Sequence, residues 1–316
     1  MTLVASELPT PADAASVVPV AGTRTPGTTI TAISFAGRPG GLAVGPDGTR
    51  FVSDATTGTI WRITRVGETT AVARRFGSPA GLAMAPDGTL FVADTTGHRV
   101  WAVSSDGHLR VVAGGGYGYR DGPGQDALFR YPSDVAIAPD GTCYVADGGN
   151  HRVRTISPDG LVATLAGSIF DYGDGLGPDG RFRQPLGLDV GPDGTCYVAD
   201  TGNNAIRHIT TDGEVTTLAG SPPGGDRDGA GGEVGLRSPT AIAVGPDGDL
   251  FVVDHGNAAV RRIDPAGSST TCVRLSDRHW PVAVALSPDS EVVVAAVALD
   301  DPRSPEARLI TLGADP

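Results

Sequence analysis

The stretch PLGLDVGPDGTCYVADTGNNAIRHI, residues 185–209, decides the fold of this chain. A short apolar run is followed by a Gly-Pro-Asp-Gly turn, a β-branched and aromatic run ending in Asp200, a second polar turn and a third apolar run. Pro192 presets φ for the second position of the first turn, and Gly194 supplies the positive φ with which the next strand begins. The stretch therefore predicts three antiparallel strands joined by two hairpin turns.

The same pattern recurs along the chain, and each copy begins at a proline. The leading prolines, at intervals of 40 to 54 residues, are Pro39, Pro79, Pro132, Pro185, Pro239 and Pro281. A fourth strand follows most copies, so the repeat predicts an all-β fold, a six-bladed β-propeller of four-stranded antiparallel blades. The sixth unit lacks a fourth strand, whereas a spare one, Ile30–Phe35, precedes the first unit. We therefore expect an N-terminal strand to close the ring and to leave no open sheet edge.

Composition limits the classes of partner. The formal net charge is -12, and the 24 basic residues are all arginine. An acidic chain repels phosphate backbones, so no nucleic-acid partner is expected. No apolar run approaches the ~20 residues needed to cross a bilayer, so no membrane partner is expected either.

The cysteines indicate the cellular compartment, and the composition of the N-terminal residues indicates where the folded domain begins. Cys143 and Cys196 occupy equivalent positions in neighbouring units, too far apart for a disulfide, so we expect a reduced, cytoplasmic protein. Residues 1–27 are rich in Ala, Pro, Thr and Ser without a hydrophobic period, which predicts a mobile extension. Residues 28–316 are then a single propeller domain.

Three strings resemble NHL repeats, whose hallmark is a YVAD-x-GNHRI pattern. They are DGTLFVADTTGHRVWAV (87–103), DGTCYVADGGNHRVRTI (140–156) and DGTCYVADTGNNAIRHI (193–209). The linkers 113–132 and 166–185 are similar to a variant common in bacterial NHL proteins, and 219–239 is a looser copy. The resemblance covers about residues 28–312. It implies that the strand 4-to-1 and strand 2-to-3 connections share one face, where the channel opens.

The resemblance is compatible with many functions. Similar six-bladed propellers serve as protein-interaction platforms, RNA binders, sensor domains, lyases, lactonases and small-molecule condensing enzymes. Because one fold hosts many activities, the resemblance leaves the function open.

Residues repeated in most of the units are interpreted as structural. Five acids end the second strand of a unit, namely Asp54, Asp94, Asp147, Asp200 and Asp254. We expect each to accept N–H bonds from its own following turn. His98 and His151 share one register, for which turn packing is the favoured role and convergence on a metal the alternative. No cofactor is predicted, although a divalent metal could occupy the central channel.

Departures from the repeat are the functional candidates, because the fold does not explain them. Asp134 stands where other units have Gly or Ala, and His255 replaces a small residue after a strand-ending acid. These two are the candidate catalytic residues. The candidate ligand-binding residues flank the leading prolines and are Arg38, Tyr131, Arg183, Gln184, Arg237, His279 and Trp280. Polar groups that converge on a pre-formed cleft are typical of a binding site, whereas simple packing on the rim is the competing interpretation.

Two functions follow from these candidates. The first is a stand-alone module that binds a small molecule or a partner protein's loop at the channel mouth. The second is an enzyme of lyase, hydrolase or cyclase type, in small-molecule biosynthesis, using the same pocket. In that case Asp134 or His255 would be the general base, and Arg183 or Arg237 would steady developing negative charge.

Overall fold

The computed structural model describes residues 22–24, 30–275, 279–298 and 306–313. The chain begins with β1 (Gly22–Arg24) and β2 (Ile30–Ala36). Blade one is β3 (Pro39–Val44), β4 (Arg50–Asp54), β5 (Thr59–Ile63) and β6 (Thr69–Arg74). Blade two is β7 (Pro79–Met84), β8 (Leu90–Asp94), β9 (Arg99–Val103) and β10 (Leu109–Ala113).

Blades three to five each gain a short extra strand. Blade three is β11 (Gly122–Pro123), β12 (Pro132–Ile137), β13 (Cys143–Asp147), β14 (Arg152–Ile156) and β15 (Leu161–Ala166). Blade four is β16 (Gly175–Leu176), β17 (Pro185–Val190), β18 (Cys196–Asp200), β19 (Ala205–Ile209) and β20 (Glu214–Gly220). Blade five is β21 (Gly229–Ala230), β22 (Pro239–Val244), β23 (Leu250–Asp254), β24 (Ala259–Ile263) and β25 (Ser268–Leu275).

Blade six is β26 (His279–Leu286), β27 (Val292–Ala298) and β28 (Glu306–Leu312). Short 3₁₀ turns lie at Gly148–Asn150, Gly177–Asp179, Thr201–Asn203, Gly231–Glu233 and His255–Asn257.

The described strands form six antiparallel sheets, each running outward from a strand that starts at or just before a leading proline. Blade four, for example, has the order β17-β18-β19-β20, with β16 at the outer edge. The predicted six-bladed all-β propeller is confirmed. The first turn of that blade has the expected conformation, since Gly194 has φ 86°.

The ring is closed by the N-terminal strand. β2 pairs along its whole length with β28, from Ile30 opposite Leu312 to Ala36 opposite Glu306, and so becomes the outer strand of blade six. This confirms the predicted closure. β1 pairs with the outer edge of β25. The rest of the predicted extension lies outside the described residues, where its mobility stays a prediction.

The core lies between adjacent blades, and the inner strands crowd the central axis. Val145, Val198 and Val252 are fully buried in the second strands of blades three to five. A Cβ on Gly187 would lie 2.3 Å from the carbonyl oxygen of Thr240 on the next blade, so only glycine fits there.

Two further expectations concern thiols and helices. The three cysteines are buried free thiols, which confirms that Cys143 and Cys196 are not paired. Within the described ranges, no helix has the length and apolar character required to cross a lipid bilayer.

Candidate functional site at the channel mouth

One face of the propeller, here called the mouth, is built from two sets of loops. The first set precedes the leading prolines, and the second follows the strand-ending acids. Main-chain hydrogen bonds of 2.8 Å join the two sets within a blade: Gly149 N–H donates to Arg130 O, Gly202 N–H to Arg183 O and Gly256 N–H to Arg237 O. The mouth loops are therefore fixed against each other by the backbone.

The strand-ending acids anchor these loops. In blade four, Asp200 accepts the N–H of Arg183 at 2.7 Å, Nδ2 of Asn203 at 2.8 Å and Nη1 of Arg207 at 2.9 Å. Asp147 and Asp254 make the equivalent bonds in blades three and five. The predicted turn caps are confirmed in blade one, where Asp54 accepts the N–H of Thr56 at 2.9 Å, and in blade two, where Asp94 accepts that of Gly97 at 3.2 Å. In blades three to five, the strand-ending acid instead binds the side-chain amide of the turn asparagine and the guanidinium of a buried arginine.

The buried arginines, Arg154, Arg207 and Arg261, have no exposed surface. Each also meets an acid of the long linker before its blade. Arg207 Nη2 lies 2.7 Å from Asp174, Arg261 Nη1 lies 2.9 Å from Asp228, and Arg154 pairs with Asp121. Burial raises the pKa of Asp200, against the lowering effect of the Asn203 amide and the Arg207 guanidinium. The linker acids thus give each buried arginine a second carboxylate partner, beside the strand-ending aspartate of its own blade.

His98 and His151 lie on the boundaries between blades. The N–H of Tyr131 donates to Nδ1 of His98 at 3.3 Å, and the N–H of Gln184 donates to Nδ1 of His151 at 3.2 Å. Burial lowers the pKa of both imidazoles. Both rings therefore act as neutral acceptors that hold the next blade's loop, in agreement with the favoured packing role.

The arginines of the mouth are exposed. Arg130, Arg183 and Arg237 stand in one register, two residues before the leading proline, and Arg38 stands one residue before its proline. Within the described ranges, none of these four side chains forms an ion pair or a side-chain hydrogen bond. Their charge is available to a ligand.

Aromatic rings from the linkers lie under two of these arginines. The Arg130 guanidinium is 5.2 Å from the ring centre of Tyr117, and that of Arg183 is 4.6 Å from the ring centre of Phe170. Tyr117, Phe170 and Tyr131 are 54%, 51% and 45% exposed. The mouth of blades three and four is therefore both cationic and aromatic.

His255 of blade five and His279 and Trp280 of blade six lie where these two blades meet at the mouth. The His255 and Trp280 rings are 5.5 Å apart, and Nδ1 of His255 lies 2.9 Å from the carbonyl oxygen of Pro281. Since a carbonyl only accepts, Nδ1 carries the proton and neutral His255 has its lone pair on Nε2. His279 is buried, 8% exposed, and Trp280 is half-buried.

The central channel is a cavity of about 290 Å³ lined by the inner strands, including Asp134 and Asp189. Each carboxylate joins two blades. Asp134 accepts N–H bonds from Val135 at 2.9 Å and Leu188 at 3.0 Å, and Asp189 accepts them from Val190 and Val244, both at 2.8 Å. Burial raises the pKa of Asp134 to about 8 and that of Asp189 to about 6. No other predicted site residue lines the channel.

Comparison with known proteins agrees with this geometry. The NHL repeat family model matches residues 76–103, 129–156 and 182–209, which include the second and third strands of blades two to four. This chain is an NHL-repeat propeller.

Relatives of the NHL propeller extend the comparison. The protein SUPPRESSOR OF QUENCHING 1, chloroplastic, of Arabidopsis thaliana is 32% identical over 173 residues, which is 50% of this chain. The chain spans only 16% of the length of that relative. A gluconolactonase from Xanthomonas campestris superposes with a TM-score of 0.69 at 16% identity, covering 96% of this chain and 99% of its own. A streptogramin B lyase superposes with a TM-score of 0.60 at 12% identity, covering 90% and 98%. At such identities these neighbours establish the fold alone.

The NHL propeller separates its predicted site residues into two places. Asp134 lies in the channel, whereas the other predicted site residues lie at the mouth. Of these, Arg38, Tyr131, Arg183, Gln184 and Arg237 are exposed, His255 and Trp280 are half-buried, and His279 is buried. No hydrogen bond joins Asp134 to His255 in the part of the chain that the structure describes. In the same part, no group of three His, Cys, Asp or Glu side chains is arranged to hold a metal ion. A metal in the channel stays a prediction.

Sequence reasoning missed Asp189 and the linker rings. Asp189 lies within the stretch that decides the fold, where the other five units have alanine: Ala43, Ala83, Ala136, Ala243 and Ala285. Asp189 could therefore have been identified from the sequence, by the same comparison of units that identified Asp134. Tyr117 and Phe170 recur at the same linker position, 53 residues apart, and could also have been found.

Proposed function

We propose that this NHL propeller is a binding module that captures an anionic ligand at its mouth. The ligand is a carboxylate-bearing small molecule or an acidic loop of a partner protein. The observation that carries the proposal is the arc of Arg130, Arg183 and Arg237, which are exposed and unpaired on three consecutive blades. The chain as a whole carries a net charge of -12, so this arc is a local reversal of sign that attracts anions.

Pre-organisation supports the same proposal. The main-chain N–H of each arginine donates to a buried aspartate at 2.7 to 2.8 Å, which fixes the base of the side chain. A guanidinium binds a carboxylate through two parallel N–H bonds, and a fixed base lowers the entropy lost on binding. Three such groups on neighbouring blades suit a ligand with more than one carboxylate.

Catalysis is the second candidate, favoured by the fold likeness to a gluconolactonase and a lyase and by two side chains. With a pKa of about 8, Asp134 is largely protonated at neutral pH and would serve as a general acid rather than the predicted base. His255 keeps a lone pair on Nε2 for the role of base. The two side chains do not meet, and Asp134 already accepts two main-chain bonds, so binding is the function that the geometry favours.

Location stays a proposal as well. Three buried, free thiols are compatible with a reducing compartment such as the cytoplasm.

Binding of simple anions tests the proposal. Citrate and fluorescein-labelled polyglutamate serve as probes, with labelled polylysine as the control, measured by calorimetry and fluorescence anisotropy. We expect the anions to bind more weakly as salt rises, and Arg183→Gln to reduce affinity about threefold to tenfold. Failure of both anions to bind, or equal binding of polylysine, would refute the anion-binding function.

A further inference from the structure

Two positions of the mouth are copies of one arrangement, which we call clamps. The first clamp is Tyr117, Arg130 and His98, and the second is Phe170, Arg183 and His151. We propose that the two clamps together bind one extended acidic segment of a partner protein, whose acidic side chains pair with Arg130 and Arg183 while its apolar side chains cover the two exposed rings. This inference rests on the proposed function and names its ligand.

The two clamps have matching geometry. The histidine and aromatic ring centres are 5.2 Å apart in the first clamp and 5.1 Å in the second, with interplanar angles of 73° and 70°. The guanidinium lies over the same ring in each, at 5.2 Å and 4.6 Å. Stacking orients a guanidinium while its N–H edge stays available to a carboxylate. A ligand therefore meets two similar cationic groups on successive blades.

The main chain beside each ring is anchored by a side-chain hydrogen bond, although about half of each ring is exposed. Nδ2 of Asn150 donates to the carbonyl oxygen of Gly118, beside Tyr117, at 2.7 Å. Nδ2 of Asn203 donates to the carbonyl oxygen of Asp171, beside Phe170, at 2.9 Å. Fixed, exposed aromatic and arginine side chains have the composition of binding hot spots, since they lose little entropy when a partner covers them.

Charge identifies the chemistry of the partner. The linker acids nearest in sequence to the rings are already occupied. Asp171 pairs with Arg181 at 2.8 Å, and Asp121 and Asp174 pair with the buried arginines of their blades. The guanidinium groups of Arg130 and Arg183 are left without an acid in the described residues. The complement of this surface is negative.

The surface favours a polypeptide segment over a compact anion. Tyr131, 45% exposed, touches the first clamp with its ring 5.8 Å from that of Tyr117, and Ile169, 59% exposed, is next to Phe170 in the chain. Cationic and apolar groups thus occur side by side at both clamps. Arg237 has the same register as the clamp arginines, but in the described residues no ring lies under it. It is the matched control within the molecule.

The test uses fluorescein-labelled peptides in which two glutamates are separated by runs of leucine and serine of increasing length. Polyglutamate is the reference ligand, and the full chain is titrated by anisotropy. We expect a peptide of suitable spacing to bind, with Tyr117→Ala and Phe170→Ala each weakening it about fivefold. Arg183→Lys should weaken the same peptide, whereas Arg237→Lys should not, because only the first removes a stacked guanidinium. Thermal unfolding verifies that each variant is folded.

The outcomes separate this inference from the proposed function. If polyglutamate and the peptides bind but the ring variants bind both unchanged, the clamps are not a peptide site and only the proposed function survives. If no anion binds, both fail. Vesicles containing phosphatidylserine form a third arm: vesicle binding that requires the rings, without peptide binding, would overturn the inference in favour of a lipid surface.

Discussion

Blades three, four and five each carry two arginines at fixed registers, and the two sets differ in their surroundings. Arg154, Arg207 and Arg261 lie inside the blades, have no exposed surface and bind two or more acids each. Arg130, Arg183 and Arg237 lie at the mouth, exposed and without an ion pair in the described residues. The difference lies in where the acids are. The linkers supply carboxylates to the interior and leave the mouth cationic.

Blades one and two sharpen the comparison. At the register of the buried arginines they have Trp61 and Trp101, each opposite a valine of the second strand. These blades do not follow a long linker, so no linker acid is available there. Nε1 of Trp101 donates to Asp94 at 3.2 Å, the strand-ending acid that would otherwise bind an arginine. Among the described strands, an arginine at this register is buried only where a linker brings it a second acid.

The largest expected effect is on stability and follows removal of a buried arginine. Arg207→Ala leaves Asp200 buried without its cation, which should lower the free energy of unfolding by about 3 to 5 kcal/mol. Asp174→Asn is the matched variant, since it keeps the buried pair and loses only the outer carboxylate, with a loss of about 1 to 2 kcal/mol. Urea unfolding measures both. Equal effects would contradict the distinction between the buried pair and the linker acid.

The channel acids predict a pH dependence of stability. Burial raises the pKa of Asp134 from 3.8 to about 8, so the folded chain keeps a proton that the unfolded chain loses. The resulting stabilisation is complete below pH 3.8 and is lost as pH rises through about 8. Asparagine does not titrate, so Asp134→Asn lacks this pH-dependent stabilisation. The free energy of unfolding of the variant, relative to that of wild type, should therefore increase between pH 3.8 and about 8. For Asp189→Asn the increase should end near pH 6. A difference independent of pH would show that Asp134 titrates normally.

The sequence predicted the fold well because the repeat encodes it locally. Turn residues such as Pro192 and Gly194 act within a few positions, and the missing fourth strand of blade six was visible by counting. The pairing of β2 with β28 followed from that count, although the two strands stand at opposite ends of the chain.

The site was harder to predict because it depends on contacts between distant segments. Nothing near Arg207 in the sequence indicates Asp174, which lies 33 residues away and belongs to the preceding linker. Asp134 was found as a departure from the repeat, but its position in the channel, apart from His255, required the register of the inner strands. The distinction between paired and free arginines is likewise a property of the folded ring.

We propose that the mouth arginines serve recognition, whereas the interior arginines serve structure. The most direct measurement compares the triple variant Arg130→Gln, Arg183→Gln and Arg237→Gln with Arg207→Gln, recording both thermal unfolding and polyglutamate binding. We expect the triple variant to unfold near the wild-type temperature, since exposed substitutions change stability by about 0.5 kcal/mol or less each, and to lose binding. Arg207→Gln should unfold at a markedly lower temperature and, where still folded, bind polyglutamate as wild type does. Retained binding in the triple variant, or a collapse of its stability, would contradict the account.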